Sequence, residues 1–69
     1  MIDERKLKGK TVEAGKTMAE LSKGLGINYS TFYRKIKRNS FKLGEVDALT
    51  RELDLSKEEV ILIFFRQFV

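Results

Sequence analysis

At 69 residues the chain suffices for one small domain, near the lower bound for folding on a hydrophobic core alone. It contains neither cysteine nor histidine, which excludes disulfides, the usual structural zinc ligands, and Ser-His or Cys-His catalysis. The net charge of +4 is spread unevenly: up to Ile27 six cations face four acids, from Asn28 to Lys42 five cations face none, and from Leu43 onward three cations face six acids. A basic segment between a mixed and an acidic one predicts a directed polyanion-binding face rather than a uniformly sticky surface.

The charged start MIDERKLKGK has no apolar stretch of the secretory kind, and the longest apolar run, Val60 to Phe65, is far short of the ~20 residues a bilayer requires. A soluble, cytoplasmic protein is expected. Proline is absent, alternating apolar and polar residues never persist, and helical spacing dominates. The prediction is an all-α chain of five helices.

The first helix is expected from about Asp3 to Ala14, with Leu7 and Val12 inward and Gly15 as its stop. Gly9 within it costs about 1 kcal/mol relative to alanine. The second starts at a capping box, Thr17-Met18-Ala19-Glu20, with Leu21 and Leu25 on its buried face and Gly26 supplying a positive-φ stop. The third is capped by Asn28 and turns Phe32 and Ile36 into the core. At about 100° per residue, the opposite side carries Ser30, Arg34 and Arg38, with Thr31 and Lys37 beside them and Tyr29 and Tyr33 on the flank. Its neutral Asn28 cap leaves the positive end of the helix dipole open to an anion.

After Arg38-Asn39-Ser40, a fourth helix carries Val46, Leu49 and Leu53 inward. A fifth follows Asp54-Leu55, capped by Ser56 with Glu59, and apolar residues from Val60 to Phe65 nearly encircle it. Such a helix is either deeply buried or shared with another subunit. Leu62, Phe65, Phe68 and Val69 are candidates for a dimer seam on the helix at about 56–66, against a monomer that buries most of them.

The segment from Thr17 to Arg38 has the spacing and charge of two helices whose basic second member enters the major groove of DNA. Arg34 is the candidate for bidentate guanine reading, against a solvated or phosphate-bound arginine. Ser30 and Thr31 either touch bases or help cap the helix, and Tyr29 and Tyr33 either contact DNA or cover the core. Lys35, Lys37, Arg38 and Lys42 are candidate phosphate contacts, with Lys10 and Lys16 as lesser ones. The adjacent Glu58 and Glu59 do not share a helix face, and so short a chain encloses no large pocket, so no enzymatic role, metal or cofactor is expected.

Thr17-x-x-Glu20-Leu21, Leu25-Gly26-Ile27, Ser30-Thr31-Phe32-x-Arg34, Phe41, Glu45-Val46, Leu53-x-Leu55-Ser56 and Ile63-Phe64 follow one another at intervals that resemble the small helix-turn-helix regulators of the phage repressor and Cro type, over nearly the whole chain. The resemblance implies a compact five-helix, lambda-repressor-like domain spanning residues 1–69, with the motif at about 17–38. It implies a transcriptional regulator acting by promoter occlusion on double-stranded DNA, as a homodimer, at least on DNA, at an inverted-repeat operator. Base readers in such proteins fall on Tyr29, Ser30, Tyr33 and Arg34; backbone contacts fall on Thr17 and Met18 and on Lys37, Arg38 and Asn39. Asn28, at the open positive end of the third helix, is a further candidate phosphate contact. Met18 stands where a phosphate-holding Gln is usual, Ser22 where Ala is usual, and Tyr29 where Gln is frequent; Ile36 takes a core role often held one residue earlier, here Lys35. The rival expectation is a protein-interaction module, an antirepressor or inhibitor of another regulator, working through the apolar C-terminal surface.

Overall fold

Polar groups at each helix start decide where the helices begin. A computed structural model describes residues 2–66. Helix α1 (Glu4–Glu13) is capped by Asp3, which accepts from the Lys6 N–H at 3.1 Å. Helix α2 (Met18–Gly24) opens with the expected box: the Glu20 N–H donates to Thr17 Oγ1 at 3.1 Å and the Thr17 N–H to Glu20 Oε1 at 2.9 Å. Helix α3 (Tyr29–Arg38) is capped by Asn28 Oδ1, 2.8 Å from the Thr31 nitrogen. Helix α4 (Leu43–Leu53) begins where the Lys42 N–H donates to Glu45 Oε1 at 2.8 Å. Helix α5 (Lys57–Phe64) carries the reciprocal pair of Ser56 and Glu59, at 3.1 and 2.8 Å.

The helix ends share one device. After each of α1 to α4 a residue takes the left-handed conformation: Gly15 (φ 71°), Gly26 (φ 73°), Asn39 (φ 51°) and Asp54 (φ 50°). The next N–H then reaches back five residues, Lys16 to Thr11, Ile27 to Ser22, Ser40 to Lys35 and Leu55 to Thr50, at 3.0–3.1 Å. This is the Schellman closure, which satisfies carbonyls the helix itself leaves open.

The buried cluster draws on every helix: Leu7 from α1, Leu21 from α2, Phe32 and Ile36 from α3, Leu49 and Leu53 from α4, Ile63 and Phe64 from α5, joined by Ile2 and Leu55. Phe41, between α3 and α4, bridges Phe32 and Phe64 with ring centroids 5.7 and 6.1 Å away. The N-terminus is tied to α5 by the Asp3 N–H on the Ile63 carbonyl at 2.9 Å, by Arg66 on Asp3 at 2.7 Å and by Lys10 on Glu59 at 2.7 Å. No helix among the described residues is long and apolar enough to cross a membrane.

Three details differ from the sequence reading. Helix α1 is one residue shorter at each end than the expected span from Asp3 to Ala14. Val12 is 75% exposed, and the buried position is Thr11 at 2%. Thr11 lies four residues after Leu7 and so on the same helix face, and its hydroxyl is satisfied by the Leu7 carbonyl at 2.7 Å. Finally, α5 is not apolar all round in its packing: Ile63 and Phe64 are buried, whereas Ile61 and Leu62 are 37% and 39% exposed.

Candidate nucleic-acid interface

Phe32 and Ile36, four residues apart, hold α3 against the core at 0% and 3% exposure, which turns Ser30, Arg34 and Arg38 to solvent. Glutamates from other helices grip both flanks of α3. On one side, Glu4 of α1 accepts from the Tyr33 hydroxyl at 2.8 Å and from Lys37 Nζ at 3.0 Å, with Lys8 Nζ at 3.4 Å. On the other, Glu45 of α4 binds Lys35 Nζ at 3.1 Å. Between them, Arg34 and Arg38 have no ion-pair partner among the described residues.

The charges respond to these partners. Lys37 and then Tyr33 hold the Glu4 carboxyl below its ordinary value, and Glu4 in turn raises Lys37. Burial pushes the Glu45 carboxyl up, but the Lys42 N–H and the Lys35 ammonium outweigh it and the net shift is downward. Across the molecule, Lys10 and then the Ser56 N–H lower Glu59 to about 2.

Each candidate residue has a definite place. Tyr29 is 48% exposed and meets Tyr33 edge to face at 6.0 Å, while Lys37 Nζ stands 5.3 Å from the Tyr33 ring centre. Ser30 donates its hydroxyl to Asn28 Oδ1 at 2.8 Å, so one cap oxygen serves two donors; Thr31 is half-buried beside it. Asn39 and Lys42 are exposed at the α3–α4 junction. Thr17 is exposed but committed to its capping box, which also sets the Glu20 carboxylate at that helix start.

Other candidates are turned elsewhere. Met18 is half-buried and packs against the core, its sulfur 3.6 Å from Thr11 Oγ1. Lys35 is only 18% exposed in its side chain and is engaged by Glu45. Lys10 is paired with Glu59 and Glu13, and Lys16 with Glu52. Of the proposed seam, Leu62 is exposed and Phe65 half-buried against the core; Phe68 and Val69 lie outside the described residues.

Glu4 and Glu45, which organise this surface, were missed by sequence reasoning. Glu4 lies 29 residues from Tyr33 and 33 from Lys37, and no local pattern links them. Glu45 did carry a signal, being the third residue of a helix and so placed to cap it, but nothing joined it to Lys35.

No family model, curated protein or solved structure matches the chain.

Proposed function

We propose that the protein is a sequence-specific double-stranded DNA-binding regulator of the phage repressor and Cro kind, with α2, the Gly26 turn and α3 serving as its helix-turn-helix. The observation that carries this is the exposed line Ser30–Arg34–Arg38, whose two arginines have no partner among the described residues while the cations on both flanks are internally neutralised. Leaving guanidinium groups unpaired on a rigid, core-anchored helix suits a face that meets a polyanion. In this assignment α3 lies in the major groove, Arg34 and Ser30 reach base edges, and Arg38, Asn39 and Lys42 contact phosphates. Two copies read half-sites about one helical turn apart, and occupancy of a promoter blocks transcription.

The deciding experiment is selection of bound sites from a random duplex pool at physiological salt. An enriched inverted repeat is the expected result, whereas a pool without enrichment refutes sequence-specific regulation.

A second role has a specific observation behind it. Ile61 and Leu62 lie adjacent and exposed on α5, within the acidic part of the chain, and suit a protein contact. If protein capture is primary, Leu62→Glu abolishes biological activity while duplex affinity persists. If the surface joins two copies of a DNA-binding chain, the same variant also lowers duplex affinity and yields monomers by light scattering.

A further inference from the structure

We propose that Glu4 is a built-in competitor for the DNA backbone at one edge of α3, occupying with its carboxylate the Tyr33 hydroxyl and Lys37 ammonium that a phosphate would take. This rests on the DNA-binding role proposed above and adds an internal restraint on its strength.

The geometry supplies the reason. Glu4 presents two oxygens to two donors on α3: Oε2 to the Tyr33 hydroxyl at 2.8 Å and Oε1 to Lys37 Nζ at 3.0 Å. A phenol and an ammonium one helical turn apart are also a suitable pair for two non-bridging phosphate oxygens. They lie on the flank next to the open Ser30–Arg34–Arg38 line, where a duplex seated on that line brings its backbone.

The two glutamate clamps differ in how readily they exchange. In the Lys35–Glu45 pair both side chains are shielded, at 18% and 17% exposure, and the same Glu45 oxygen caps α4. That clamp is structural. In the Glu4 clamp, Lys37 is 62% exposed and Glu4 24%, so the ammonium reaches solvent without disturbing the core. Exposed ion pairs are weak and screened by salt, so an incoming phosphate displaces this one. Glu4 meanwhile stands as a fixed negative charge that a phosphate has to approach.

The test is the salt dependence of affinity for the selected duplex, between about 50 and 200 mM salt. Four chains are compared with the unaltered protein: Glu4→Gln, Lys37→Gln, the double variant, and Glu58→Gln. The last removes an exposed carboxylate on α5 that has no ion pair among the described residues and controls for net charge. Glu4→Gln is expected to bind about fivefold more tightly near 100 mM salt and to steepen the log–log salt slope by about 0.9, as for one added phosphate contact. Glu58→Gln leaves the slope unchanged. Adding Lys37→Gln to Glu4→Gln cancels the gain, and Lys37→Gln costs less affinity in the unaltered protein than in the Glu4→Gln background. Unchanged or weaker binding by Glu4→Gln, or a gain that survives loss of Lys37, overturns the competitor role while leaving DNA binding intact. If the unaltered protein shows no duplex preference at all, the regulator role fails and the competitor role falls with it.

Discussion

The Lys35 ammonium and the Glu45 carboxylate meet at 3.1 Å across the junction of α3 and α4, and the same carboxylate oxygen accepts the Lys42 N–H at 2.8 Å. One acidic side chain therefore both starts α4 and fixes the flank of α3. Glu45→Ala is expected to destabilise the protein by about 1–2 kcal/mol, combining the loss of a cap with the loss of a shielded ion pair. Urea unfolding measures this, and Lys35→Met should cost less because the cap survives.

Arg34 and Arg38 are expected to fail in different ways. Arg34→Ala should cost about 1–3 kcal/mol on the preferred duplex and relax sequence preference at the position it reads. Arg38→Ala should weaken all duplexes alike and reduce the salt slope by about 1. Competition binding with permuted sites distinguishes the two, and equal losses across all sites for Arg34→Ala would remove it from base recognition.

Acid should loosen the contact between α1 and α5. Lys10 and then the Ser56 N–H lower Glu59 from 4.5 to about 2, and Glu4 and Glu45 are also lowered. Because these carboxyls release protons more readily when folded, the unfolded chain binds more protons in the acid range, and stability decreases as the pH is lowered. The contribution is complete above the ordinary carboxylate pKa and is lost as pH falls from about 5 toward 2. Glu59→Gln should flatten this part of the pH–stability curve, as followed by thermal melts at several pH values.

Gly9 stands in the interior of α1, and a Cβ there meets no atom within 4 Å. Gly9→Ala is expected to stabilise the protein by about 0.5–1 kcal/mol through reduced chain entropy and better helix propensity. A raised Tm with unchanged duplex affinity is the expected outcome.

What the sequence disclosed and what it concealed divide along the range of the interactions. The caps Thr17, Asn28 and Ser56 and the stops Gly15 and Gly26 follow from chemistry within a few residues, and all appear at their expected positions. The opposition of Phe32 and Ile36 to Ser30 and Arg34 follows from helical period alone. Val12 misled because hydrophobicity outweighed period: Thr11 sits on the right face and hides its polarity in a hydrogen bond to its own helix. Asn39 and Asp54 close helices as glycines do, a role their short polar side chains permit but do not announce. The grips of Glu4 on Tyr33 and of Glu45 on Lys35 depend on how helices pack, which spacing along the chain does not encode. The same limit applied to the cations: their count was plain in the sequence, while which of them are already neutralised was not.

The bond from the Asp3 N–H to the Ile63 carbonyl, together with the Arg66–Asp3 pair, brings the beginning and end of the described chain side by side. A short peptide ligating the two into a ring would cross little space. Such a cyclised protein should resist heat and exopeptidases better than its linear parent, because its denatured ensemble has lost the freedom of loose ends. Opening the ring instead at the exposed bend around Gly15 would give a permuted chain with the same interior and relocated termini.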